Sequence, residues 1–323
     1  MSTADELPAL HPYAVSPGAS VHIIIACIFT LLATICVVLR FVQRRRSREF
    51  WWDDWAILGS LIFAFGGVLL CTLLISAPSI GAAGYHINTY TVDQLNTYFK
   101  LMLAANVLYN PSIALSKASI LFFYRRIFSV DGQFLMFMRI MGFFVIGNCL
   151  AAMLGLIFSS NPVEAQWNVG MPATTINGPA FWAVMAVVNI VLEMAMLAIA
   201  QIKVWKLQLS PRKKFLISGV LLLGAFTIIA SILRIVYLLT VDVSDMTYTI
   251  TTPGIWTNVE MNLSIICACL PMLYNLFRRT RGKGNTTARS TDWTPRHQGG
   301  VVTIGSGPSK LMAPFKSSQY LDS

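Results

Sequence analysis

The chain has 323 residues, 55% of them hydrophobic and 12% charged, with a formal net charge of +10. Soluble domains carry about 25% charged residues. At half that, with a mean hydropathy of +0.64, too little polar surface remains to cover a globule in water, which excludes an ordinary soluble enzyme or binding module. The excess of positive charge alone would fit nucleic acid or anionic lipid; its distribution along the chain separates the two.

Residues 1–19 are polar, carry Asp5 and Glu6 and have no basic stretch ahead of the first apolar run, so a cleavable signal peptide is not expected. Seven apolar runs follow, at about residues 20–42, 54–76, 99–123, 139–159, 179–203, 214–240 and 257–277. Each meets the roughly 20 residues that a membrane helix needs. Only helices or closed barrels satisfy every backbone group in lipid, and the run lengths predict helices. The expected fold is all-α: a polytopic bundle of seven transmembrane helices over residues 20–280, joined by short loops. An extracellular tail precedes it, and a disordered cytosolic tail rich in Gly, Ser, Thr and Pro follows over 281–323.

The loops set the orientation. Arg40, Arg44, Arg45, Arg46 and Arg48 follow the first run, Arg125, Arg126 and Arg139 the third, Lys203, Lys206, Arg212, Lys213 and Lys214 the fifth, and Arg278, Arg279, Arg281 and Lys283 the seventh. The other side carries Asp93, Glu164, Asp242 and Asp245. Positive loops face the cytosol, so the N-terminus is expected outside and the C-terminus inside. This alternation accounts for the net charge without nucleic acid. It leaves the bilayer, and a cytosolic protein partner or anionic lipid at the basic loops, as expected partners. Cys27, Cys36, Cys71, Cys149, Cys267 and Cys269 all fall in apolar runs and read as small hydrophobes.

Ionisable residues inside the runs need a reason, because a charge at the bilayer centre costs about 2.5–3.5 kcal/mol on insertion scales. Lys117 lies about 12 Å from Arg125 by helix rise, and Glu193 about 15 Å from Lys203. The two are therefore a candidate pair, with snorkelling of Lys117 toward the inner interface as the other reading. Arg234 and Glu260 share a depth in the outer third and form a second candidate pair. Asp242 and Asp245 compete for the arginine, which could equally be a headgroup anchor. Asp53 and Asp54 open the second run as a cytosolic helix cap, or pair with the Arg44–Arg48 cluster to shape a docking face. Pro271 is expected to kink the seventh run. No metal, catalytic or phosphate-binding motif stands out, so neither enzyme activity nor a cofactor is expected.

Five stretches follow in order: WWDDW at 51–55, SKASILFFYRRIF at 116–128, NPVEAQW at 161–167, ASILRIVY at 230–237 and WTNVEMNLSIICACLP at 256–271. Together they resemble the fungal seven-helix rhodopsin domain family, which takes in Pth11-like receptors and integral membrane proteins found beside secondary-metabolite clusters. The resemblance implies a seven-helix membrane protein with a receptor-like role. The chain departs from the family where Ser160 holds a position often occupied by cysteine, and where Asn189 and Glu193 stand in a region that often carries aspartate. Retinal is not expected, because residues 257–277 contain no lysine for a Schiff base. The expected function is a receptor-like or sensor protein of unknown ligand, with a proton-coupled or small-molecule transporter and a non-catalytic scaffold as alternatives.

Overall fold

The computed structural model describes residues 15–48, 50–77, 83–128, 131–168, 170–206 and 211–283. Of the disordered tail expected over 281–323, residues 281–283 instead continue the last helix, and 284–323 lie outside the described residues. Contacts group the chain into one compact unit up to Thr280 and a second from Arg281; the account below concerns the first.

The long helices are α1 (Pro17–Ser47), α2 (Trp52–Ser76), α3 (Val92–Ile127), α4 (Gly132–Ile157), α5 (Gly178–Lys206), α6 (Pro211–Leu239) and α7 (Thr251–Lys283). Each apolar run of the sequence falls in one of them, and most helices extend past the run into polar residues. Four of them (α1, α2, α4 and, from Ala180, α5) are long and apolar enough to cross a membrane by length and composition. The chain is thus an all-α membrane protein, apart from a two-residue hairpin, β1 (Ser160–Asn161) with β2 (Thr174–Thr175), in the loop after α4.

Local chemistry sets the helix starts. Ser16 caps α1 by accepting from the Ala19 amide at 3.1 Å, with Pro17 next in line. Thr91 and Gln94 form a capping box at the start of α3. The helices are inside-out relative to soluble ones. On α1, Ala26, Thr30, Ala33, Val37, Arg40 and Arg44 are buried at alternating steps of four and three, while Ile24, Ile28, Leu31, Ile35 and Val38 are exposed. On α4, Phe143, Phe144, Ile146 and Leu150 are likewise exposed. Contiguous apolar surface of this kind suits lipid.

Small residues bring helices together where lipid supplies no hydrophobic drive. Ser60 of α2 and Ser112 of α3 exchange hydroxyl-to-carbonyl bonds at 2.8 and 2.9 Å. A Cβ on Gly67 would stand 2.7 Å from Leu108, so only glycine fits that approach. Gly67 lies in a π-helical stretch, Phe63–Leu69, that interrupts α2. Such stretches concentrate at functional sites. Helix α7 continues through Pro271 to Lys283.

Among the described residues, two larger apolar clusters and a small one around Ala19, Ala83 and Tyr98 pack the bundle. Leu121, Met138, Met141, Leu192 and Met196 join α3, α4 and α5. Ala33, Val37, Ile57, Ile113, Met261 and Ile265 join α1, α2, α3 and α7.

Candidate functional site

Among the described residues, the buried acidic and basic side chains gather in two clusters, and the first lies in the middle of the bundle. Asn189 and Glu193, one turn apart on α5, face α3, α6 and α7 together. Lys117 on α3 has its Nζ 3.4 Å from Glu193 Oε1 and donates to Asn189 Oδ1 at 2.5 Å and to the Asn189 carbonyl at 3.2 Å. Asn189 Nδ2 donates to Glu260 Oε1 at 3.0 Å. The Ser231 hydroxyl lies 2.6 Å from the same oxygen and 3.3 Å from Glu193 Oε2. The Thr227 carbonyl, at 3.0 Å, is a third acceptor within its reach, and Glu260 is the nearest of the three. Arg234, one turn beyond Ser231 on α6, holds its Nε 3.0 Å from Glu260 Oε2 and its guanidinium over the Tyr109 ring, 4.9 Å from the centroid. Lys117, Glu193 and Glu260 are buried, Glu260 completely.

The sequence reading treated these four charges as two pairs at different depths. The structure joins them into one network, bridged by Asn189 and Ser231. Two cations and two anions cancel, so the network adds no net charge to the bundle. The Lys117 side chain turns inward, and its snorkelling route is not used. The bridging residues were not singled out as partners, although Asn189 lies four residues before Glu193 and Ser231 three before Arg234. Those spacings put each on its charge's helix face.

The second cluster sits at the C-terminal end of α1. Arg40 reaches Asp53 Oδ2 at 2.6 Å and Asp54 Oδ1 at 2.9 Å, and Arg44 reaches the same two carboxylates at 2.6 and 2.9 Å. Arg40 Nη1 also donates to the Ala268 carbonyl at 2.8 Å, and the Ser119 hydroxyl donates to the Asp53 carbonyl at 2.7 Å. The cluster thereby ties α1, α2, α3 and α7. Asp54 also accepts from the Trp51 amide at 3.1 Å, a capping contact at the start of α2. Of the Arg44–Arg48 cluster offered as a partner for Asp53 and Asp54, Arg44 makes the contact, and Arg40 joins it instead of belonging to an open basic loop. Both are buried and neutralised, because the inward spacing of α1 carries them into the bundle. Arg45, Arg46, Arg48, Arg125, Arg139 and Lys206 remain exposed.

A cavity of about 180 Å³ lies above the central network, toward the loops after α2, α4 and α6. Every long helix contributes to its wall. Lys117, Asn189 and Arg234 form its floor, Tyr98, Met102, Phe181 and Trp182 part of its apolar wall, and Ala83 and Ile250 its loop end. The loops there are tied together. Asp245 Oδ1 accepts from the Ile87 amide at 3.0 Å, His86 Nδ1 lies 2.5 Å from Asp245 Oδ2, and His86 stacks on Tyr248 with centroids 4.6 Å apart. The Ile87 amide bond, with His86 second, holds the Asp245 carboxyl below its usual range. At the other end of the bundle Asp131 caps α4 and pairs with Lys203, which holds its carboxyl low as well.

Among known proteins, the model of the fungal rhodopsin domain matches residues 39–279. The chain belongs to the fungal rhodopsin domain family. It is 33% identical over 205 residues to a SAT4 family membrane protein of Emericella nidulans, a match that takes in 63% of this chain and 52% of that one. The chain thus spans about half the length of that relative. It is 27% identical over 329 aligned positions to Receptor GIN3 of Arthrobotrys oligospora, covering 98% of this chain and 77% of that one. It is 25% identical over 257 residues to Wortmanamides biosynthesis cluster protein C of Talaromyces wortmannii, covering 77% and 68%. No solved structure matches the chain.

Proposed function

We propose that this chain is a seven-span membrane receptor or sensor that binds a small molecule in the central cavity. Its N-terminus lies outside and its C-terminus in the cytosol, and it neither catalyses a reaction nor holds retinal. The cavity carries the reading: it lies among all seven helices, has mixed apolar and polar walls, and reaches the loops that hold acidic rather than basic residues. Ligand sites of this composition are the ones bundles place between helices. The span number is supported by where the polar residues of α3, α6 and α7 go. Inside the bundle Lys117 meets Asn189 and Glu193, and Ser231 and Arg234 meet Glu260, which keeps them out of lipid. A receptor role is supported by the relative named Receptor GIN3. The exposed arginines at the opposite end would meet a cytosolic protein or anionic lipid.

Charges bordering a cavity also suit a transporter, and one experiment separates the two. A small-molecule panel is screened by thermal shift on the purified full chain, with Ala186→Trp, which fills the cavity wall, as the control. A radiolabelled hit is then offered to proteoliposomes. A receptor gives saturable, stoichiometric binding that Ala186→Trp abolishes, with no accumulation in the lumen. Time-dependent accumulation assigns the chain to transport.

A further inference from the structure

The central network is neutral in sum but not symmetric toward the cavity. Lys117 and Arg234 line the cavity; Glu193 and Glu260 do not, and no carboxylate is among the lining residues. Glu260 is completely buried behind them, bonded to Asn189 and Ser231. A group in the cavity therefore has both cationic residues of the network in its wall and neither acidic one. Coulomb energy falls with distance and is less damped away from water, so the floor favours an anion and disfavours a cation, although its net charge is zero.

The walls restrict the rest of the ligand. Tyr98, Phe181 and Trp182 offer aromatic surface. A cavity of about 150 Å³ holds benzene in a soluble protein, and this one, at about 180 Å³, has room for one ring and a short arm. Asn106 and Asn110 each give one Nδ2 proton to a carbonyl, of Met102 and Asn106, at 2.9 Å, and their amide oxygens are open as wall acceptors. Asn258, also lining, is buried with its Oδ1 bonded to no donor among the described residues.

We infer that the cavity takes a small organic acid: a carboxylate set against Lys117 and Arg234, on a body of about one ring, with room on the wall for a hydroxyl donor. The inference rests on the cavity being a ligand site and adds the ligand's chemical class.

The test uses three probes of nearly one shape, phenylacetate, 2-phenylacetamide and 2-phenylethylamine, titrated into the full chain in nanodiscs. Binding is followed by calorimetry and by tryptophan fluorescence. The expected order is acid over amide over amine, with the acid at least about tenfold tighter than the amide, equivalent to about 1.4 kcal/mol. Arg234→Gln and Lys117→Gln, where they fold, should erase that preference while leaving amide binding in place. The series on the unaltered protein stands whether or not the variants fold. Equal or tighter binding of the amide or amine overturns the inference and leaves the cavity a ligand site. Binding by none of the three removes both.

Discussion

The central network makes a quantitative demand on stability. Glu260 is the counter-charge of Arg234 and accepts from Asn189 and Ser231, so it holds three of the network's links. Glu260→Ala leaves two buried cations facing one carboxylate and Asn189 Nδ2 without its carboxylate acceptor, while Ser231 keeps the Thr227 carbonyl at 3.0 Å. Removing one partner of a buried pair costs about 3–5 kcal/mol, and each hydrogen bond to a charged group is worth about 1.5–3 kcal/mol. Arg234→Ala breaks the same pair but leaves Glu260 its two donors, so it should cost less. The double variant restores neutrality, and its loss should fall short of the sum of the single losses by about 0.5–3 kcal/mol, the range for residues in one network. Thermal unfolding in detergent ranks the four proteins; in soluble domains of about 150–250 residues, 1 kcal/mol moves Tm by about 2–4 °C. Strict additivity, or a greater loss from Arg234→Ala than from Glu260→Ala, would refute the network.

Arg40→Ala should lower Tm markedly, since it leaves Asp53 and Asp54 with one arginine; Arg45→Ala, at an exposed position, should barely move it, and equal Tm values would sink the distinction between buried and free arginines. Purified protein given retinal should show no red-shifted absorbance band, because residues 257–277 lack a lysine; a band lost in Lys117→Ala would relocate the chromophore. The loop tie at Asp245 is sensitive to pH. Its carboxyl is held low, so the stabilisation is present above the ordinary carboxylate range and is lost as pH falls through the lowered value. Proteolysis of the loop over 77–91 should accelerate in acid, and Asp245→Asn should be fast already at neutral pH; pH-independent cleavage of the parent chain would contradict this.

The helices were legible because lipid imposes a length and a composition that survive in the sequence. The polar interior was legible only in part. Matching Lys117 with Glu193 and Arg234 with Glu260 by depth used charges alone, and a depth along one helix says nothing about which face turns inward. Asn189 and Ser231 carry no charge, so nothing drew them into that reckoning, and the fusion of the pairs went unseen. Arg40 ends an apolar run and looks like the first residue of a basic loop. Its place in the series 26, 30, 33, 37, 40, 44 contains the opposite answer, and Asp53 and Asp54 open the next helix within reach. Gly67, in the π-helical stretch, packs against Leu108, forty-one positions away, and no local pattern encodes that contact.

The account's central claim is a ligand cavity reached from outside the cell. Met185 lines its wall and Arg45 is exposed at the opposite end of the bundle. In a chain whose native cysteines are replaced, Met185→Cys and Arg45→Cys are offered a membrane-impermeant thiol reagent on intact cells. The cysteine at 185 should react from outside, and the one at 45 only after permeabilisation. Reaction at 45 but not at 185 in intact cells would contradict both the orientation and the route into the cavity.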